Sequence, residues 1–373
     1  MIKTKARKKV SPKKAPAKRR GQSTAGNRAV AAAAKSIVAA AAKSIVAALT
    51  AGKAPRAIVG VVAPSSPVPL VELEIGAQRL TDAGFEVFFH PQVKETETFF
   101  AGSDADRAHA FLDYAFDPDL GVIWAARGGY GAVRILPILD EVLTKAGKPE
   151  PKTFVGFSDS TVLLEYVRTR WGWRAIHGPM PATFHIERVQ GKDWTNFTAV
   201  VAAESPGFAF RVKPVFKPDG FVKVEGEFVG GNLAMIHSVL GTPYAFDLRG
   251  KILFLEEVSE APYRIDRMMQ QLRLAGALAG VKAIVLGTFT ECRDSSPQVY
   301  ASAPTGKTKK MKPLRKKLSE AVIMKTIFGE LGKSLGIPVY SGLPIGHGAG
   351  TGCVELGRMT ELRANGELTS LPS

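Results

Sequence analysis

The chain has 373 residues, a formal net charge of +16, 45% hydrophobic residues and only two cysteines, Cys292 and Cys353. That length suits two domains and the apolar content suits a sizeable core, while two cysteines exclude a disulfide framework and a four-thiolate zinc site and fit a reducing compartment. The charge resembles a nucleic-acid signal until it is located: residues 1–56 hold fifteen Lys and Arg and no acid, leaving 35 basic against 34 acidic residues for the rest, so the body is nearly neutral.

Residues 1–56 form a basic, Ala/Lys-rich tail. Its first 28 residues have almost nothing to bury and read as disordered. The repeated AAAAKSIV from residue 31 favours a short helix. Lys35 and Lys43 interrupt it, which excludes a membrane span and makes a poor signal peptide, so the cytoplasm is the expected location. The tail is expected to be a solvated appendage, with weak contact to nucleic acid or acidic surfaces as the functional alternative.

The body opens with the apolar strand AIVGVV from Ala57, a Pro/Ser loop, and the helix VELEIGAQRLTDAG. FEVFFHP is a second strand and residues 103–115 a helix. LGVIWAA is a third strand, followed by RGGYG and a helix near VRILPILDEVL. FVGF is a fourth strand, followed by SDS and the helix TVLLEYVRTRW. Alternation at this spacing predicts a mostly parallel sheet with helices on its faces. Beyond about residue 200 the texture is strand-rich, then mixed: the helices NLAMIHSVLG, RIDRMMQQLRLAGAL and EAVIMKTIFGELGKSL alternate with KILFLEEV, KAIVLGTF and a final ELRAN-GELTSL. The expected domains are 57–208 and 209–373. Residues 293–317, polar and basic, read as an exposed loop or insertion.

In a parallel α/β sheet, functional groups gather at the carboxyl ends of the strands. Three such ends carry chemistry here. Ser158 follows a strand and precedes a helix, where a tight turn presents a hydroxyl beside free N–H groups. The pattern Gly156-Phe157-Ser158-Asp159 lacks the last glycine of G-x-S-x-G, so the motif alone is weak, and on spacing alone a plain helix cap is the better account of Ser158 and Asp159. RGGYG, Arg127–Gly131, lets a backbone approach closely and could supply an oxyanion N–H. It fails the dinucleotide fingerprint, because Arg134 stands where the third glycine belongs. TGKT at 305–308 lacks the first phosphate-loop glycine, with Ala301 in its place, and follows no strand. Glu256 and Glu257 end an apolar strand, and a buried carboxylate needs a partner. Six histidines are candidates: His90, His109, His177, His185, His237 and His347. His347 lies in a glycine-framed loop and His237 in an apolar helix pattern, and spacing does not choose among them. Serine, glutamate and histidine together would supply a nucleophile, its base and the group that orients the base. No HExxH or Cys/His cluster points to a metal, and no cofactor is expected.

In order along the chain, AARGGYGAVRIL, GFSDST, HGPM, GGNLAMI, GTPY, ILFLEEVSEAPYRIDRM and GLPIGH resemble the LD-carboxypeptidases of the serine peptidase type, over about residues 57–370. The resemblance implies an N-terminal flavodoxin-like parallel-sheet domain and a C-terminal α/β domain with the active site at their interface, usually in a homodimer. It implies a catalytic triad of Ser158, Glu256 and His347, with the backbone N–H groups of Gly129 and Asp159 forming the oxyanion hole. The implied activity is release of the terminal D-alanine from murein tetrapeptides during cell-wall recycling. The alternative, on relatives similar to the microcin immunity protein, is hydrolysis of peptidyl or aminoacyl nucleotides. The basic tail and the long 293–317 stretch depart from the family and bear on substrate preference.

Overall fold

The computed structural model describes residues 55–183, 186–187, 189–204, 207–293, 319–348 and 352–372. The basic tail up to residue 54 and residues 294–317 of the expected insertion lie outside the described residues, as does His185.

Five short apolar runs build the first sheet: β1 (Ile58–Val62), β2 (Glu86–Phe89), β3 (Val122–Ala125), β4 (Thr153–Gly156) and β5 (Arg174–His177). They pair in parallel in the order β2-β1-β3-β4-β5, the flavodoxin-like order that the family resemblance implies. β3 and β4 are buried along their whole length, as strands covered by helices on both faces must be. The covering helices are α1 (Leu70–Asp82), α2 (Asp104–Phe116), α3 (Ala132–Ala146), α4 (Thr161–Tyr166) and α5 (Gly191–Val201). α2 starts with a capping box in which Ser103 and Asp106 bond each other's backbone N–H groups. α4 continues into one π-helical stretch, Val167–Trp171, and Gly172 in the left-handed region stops it.

The second sheet has eight strands. β8 (Lys223–Asn232), β9 (Ile252–Val258), β10 (Ala283–Thr290) and β11 (Val339–Ser341) run parallel at its centre. β6 (Ala209–Arg211), β7 (Lys213–Phe216), β13 (Met359–Arg363) and β14 (Glu367–Ser370) flank them in antiparallel pairing. Helices α6 (Leu233–Ser238), α7 (Pro262–Leu274) and α8 (Glu320–Leu335) connect the parallel strands. β12 (Val354–Leu356) leaves this unit and pairs antiparallel with β5 at the edge of the first sheet.

One apolar core runs across both sheets, joining Phe154, Val162 and Leu163 to Phe228, Leu233 and Phe254. A second lies on the other face of the first sheet, around Val61, Leu73, Trp124 and Phe197. The fold therefore sets the carboxyl end of β4 against β8 and β9 of the second sheet. Among the described residues no helix is long and apolar enough to cross a membrane.

Candidate active site

β4 delivers four buried residues and then Phe157, after which the backbone turns sharply. Ser158 adopts φ 61°, the left-handed region that side chains seldom occupy, and its side chain is half-buried. Ser158–Ser160 make a single 3-10 turn leading into α4, so the Asp159 N–H sits where a helix has no internal acceptor to offer. The plain-cap reading of this turn is not realised: no side chain caps the start of α4. Asp159 instead turns inward and is 1% exposed. Its Oδ2 accepts the Ala132 N–H at 2.8 Å, so it fastens the start of α3. Burial pushes its carboxyl above the usual carboxylate range, opposed by bonds from the loop around it and by Arg107.

The RGGYG turn follows β3 and lies directly on Ser158. A Cβ placed on Gly128 would come within 2.9 Å of the Ser158 Cβ and 3.0 Å of its Oγ, so only glycine lets the two strand ends approach this closely. Gly129 faces Ser66 of the loop after β1, and Ser66 Oγ accepts the Tyr130 N–H at 3.1 Å. The Gly129 N–H has no protein acceptor among the described residues. Beneath the turn, the fully buried Arg107 donates to the carbonyls of Pro64 at 2.7 Å and Gly131 at 2.8 Å. Sequence reasoning missed this tether, because an arginine in a helix pattern gives no sign of facing inward.

Glu256 and His347 meet in the second sheet and the loop after β11. β9 buries Glu256 completely, and its Oε2 accepts from His347 Nδ1 at 2.6 Å. The His347 loop is tied to β10, where Thr288 Oγ1 accepts the Gly348 N–H at 3.0 Å and the Thr288 N–H donates to the Ile345 carbonyl. A Cβ on Gly346 would lie 2.5 Å from Thr288 Oγ1 and 2.8 Å from Glu256 Oε2, so the glycine before His347 lets the loop close on the carboxylate. Burial alone would raise the Glu256 carboxyl, but the His347 imidazolium and its hydrogen bond, joined by His177 and a hydrogen bond from Asn232, outweigh burial and hold the carboxyl below its usual range. Burial alone would lower the His347 imidazole, but the Glu256 carboxylate and hydrogen bond together raise it above its usual range. Glu257 does different work. Its two oxygens accept from Asn232 Nδ2, Val258 N and Ala234 N and anchor the start of α6.

Two contacts bring the halves together. The Phe157 ring packs against the His347 ring with centroids 4.8 Å apart. Thr161 Oγ1, at the start of α4, accepts the Asn232 N–H of β8 at 3.1 Å. The structure thus sets the Ser158–Asp159 turn beside the RGGYG turn, pairs Glu256 with His347, and joins the two groups through Phe157. Of the other histidines, His90 bonds Asp113, and His237 is half-buried and bonds Gln271 rather than packing in the core. Among the described residues no group of three His, Cys, Asp or Glu could hold a metal ion.

The LD-carboxypeptidase N-terminal domain family matches residues 59–178, and the LD-carboxypeptidase C-terminal domain family matches residues 225–362. The chain belongs to the LD-carboxypeptidase family. The murein tetrapeptide carboxypeptidase of Pseudomonas aeruginosa is 31% identical over 313 residues, which span 82% of this chain and 93% of the relative. The crystal structure of the muramoyltetrapeptide carboxypeptidase of Oxalobacter formigenes superposes with a TM-score of 0.66 at 30% identity, covering 85% of this chain and all of that one. The microcin C7 self-immunity protein in complex with aspartyl sulfamoyl adenosine shares the fold, with a TM-score of 0.67 at 21% identity over 86% of this chain and 97% of that one. Within the LD-carboxypeptidase family the place where the Ser158 turn meets the Glu256–His347 pair is therefore the candidate active site.

Proposed function

We propose that this protein is a serine L,D-carboxypeptidase that removes the terminal D-alanine from murein tetrapeptides. The observation that carries the reading is the pair of buried Glu256 and half-buried His347 at 2.6 Å, packed through Phe157 against the strained turn that presents Ser158. An ionised carboxylate only accepts, so His347 Nδ1 bears the hydrogen and Nε2 is left as the base. His347 Nε2 takes the proton of Ser158 Oγ as that oxygen attacks the carbonyl of the L-configured diamino residue. The oxygen that becomes negative is met by the N–H groups of Gly129 and Asp159. Glu256 fixes the imidazole and stabilises its charge. His347 then protonates the amine of the departing D-alanine. Water, activated by the same imidazole, releases the acyl group from Ser158. A cytoplasmic homodimer belongs to the same reading.

The test is incubation with L-Ala-γ-D-Glu-meso-diaminopimelate-D-Ala and with the same peptide ending in L-Ala, following peptide mass. Loss of one alanine from the first peptide alone supports the reading. A folded protein that leaves both intact contradicts it and turns attention to aminoacyl nucleotides, the chemistry suggested by the likeness to the microcin self-immunity protein.

A further inference from the structure

The mechanism above uses one imidazole, and a second lies beside it. His177 ends β5, paired with Gly156 just before the Phe157–Ser158 turn. It is 1% exposed. Its ring stands edge-on to Phe254 at 5.1 Å and against Phe157 at 5.8 Å, the same Phe157 that touches His347. Neither ring nitrogen has a hydrogen-bond partner in another described residue. Oε1 of Glu256, the oxygen not bonded to His347, is buried too and has no donor at hydrogen-bond geometry, although the Asn232 side chain, bonded to Glu257, also acts on the carboxylate. Buried polar groups are nearly always satisfied. A neutral imidazole has one N–H to donate and a carboxylate oxygen only accepts, so the two deficits are complementary.

We propose that His177 is a positioning residue: as a neutral imidazole it donates through one shared water to Oε1 of Glu256, and so fixes the carboxylate that orients His347. A water held between two such groups serves nearly as well as a direct bond. The titratable groups that act on His177 are Glu256 of β9 and His347 of the loop after β11; Phe157 and Phe254 are uncharged, and Glu355 of β12 is bonded to Arg174. Burial pushes the His177 imidazole down to about 4, so it stays neutral while His347 titrates. The proposal rests on the reading of Glu256 and His347 as the base pair, but not on the identity of the substrate.

Histidine-selective NMR titration of His347, with no substrate present, tests it in the full-length wild type, His177→Phe, His177→Asn and His177→Gln. Phe fills the space without an N–H, and the two amides stand in for Nδ1 and Nε2. Removing a donor from the charged carboxylate disfavours the unprotonated pair, so His177→Phe is expected to raise the His347 midpoint by about one pH unit, and one of the amides to restore it. On any substrate the enzyme turns over, kcat falls about tenfold or more in His177→Phe with KM little changed. If His177→Phe does not fold, His177→Leu replaces it in the same comparison. Identical His347 titration in wild type and the apolar variant overturns the proposal, as does an equal shift in the apolar and both amide variants, which would make His177 a packing residue only. Because the titration reads the imidazole directly, a wrong substrate or a wrong nucleophile leaves its outcome interpretable.

Discussion

The ring of Phe157 rests on the ring of His347 with centroids 4.8 Å apart. Phe157 belongs to the turn after β4 and His347 to the loop after β11, so this one contact joins the two sheets where their chemistry converges. Ser158 follows Phe157 directly, and the position of its hydroxyl relative to the imidazole is therefore set by apolar packing as well as by hydrogen bonds.

The raised His347 imidazole fixes the sign of the pH dependence. The base must be neutral to accept a proton, so kcat/KM falls as pH drops through a midpoint above the ordinary imidazole value of about 6.5. Glu256→Gln removes the charge that raises His347 and leaves the burial that lowers it. The midpoint then moves down from its wild-type position and kcat drops by about 10³–10⁴-fold, read from pH–rate profiles of both proteins. An unmoved acid limb would show that the pair does not act as a unit.

Gly128→Ala places a methyl within 2.9 Å of the Ser158 Cβ. The turn or the serine must shift by a few tenths of an ångström or more. Misplacement on that scale lowers kcat by about 10–10²-fold with a folded protein, measurable by steady-state kinetics beside a thermal melt.

Ser158 sits at φ 61°, where glycine is unstrained and alanine is not. Ser158→Gly should unfold at a higher denaturant concentration than Ser158→Ala, by about 0.5–1 kcal/mol, reversing the usual order of these two residues. Equilibrium denaturation of the two variants checks it, and both should be inactive.

Thr161→Val keeps the shape but removes the acceptor of the buried Asn232 N–H. An unmet buried donor costs about 1–3 kcal/mol, so the melting temperature falls. Activity falls too, because this bond ties the Ser158 turn to the strand beside Glu256. A double-mutant cycle with Gly231→Ala, whose added Cβ would lie 2.7 Å from Thr161 Oγ1, should be non-additive.

Local signals made the first sheet legible: apolar runs of strand length, helical periodicity between them, and polar or glycine-rich residues where each strand ends. The same signals marked Ser158, RGGYG and the Glu256–Glu257 strand end, while the choice of Glu256 over Glu257 and of His347 among six histidines came from the family resemblance. Chain separation hid the rest. Glu256 and His347 are 91 residues apart, and Thr161 and Asn232 are 71 apart, so no spacing rule connects either pair. β12 crosses back to the first sheet on only three residues, too few to show a period. Nothing in the helix pattern of residues 103–115 marks Arg107 as buried, and spacing does not single out His177 among the six histidines. Asp159 was expected for its backbone alone, whereas its side chain also holds the start of α3.

D-alanine release from the murein tetrapeptide, measured side by side for wild type and Ser158→Ala with both shown to be folded, tests the central claim most directly. The wild type should release one D-alanine per peptide, and the variant less than about 10⁻⁴ of that rate. Release by the Ser158→Ala protein at a rate near that of the wild type would contradict the assignment of Ser158 as the nucleophile.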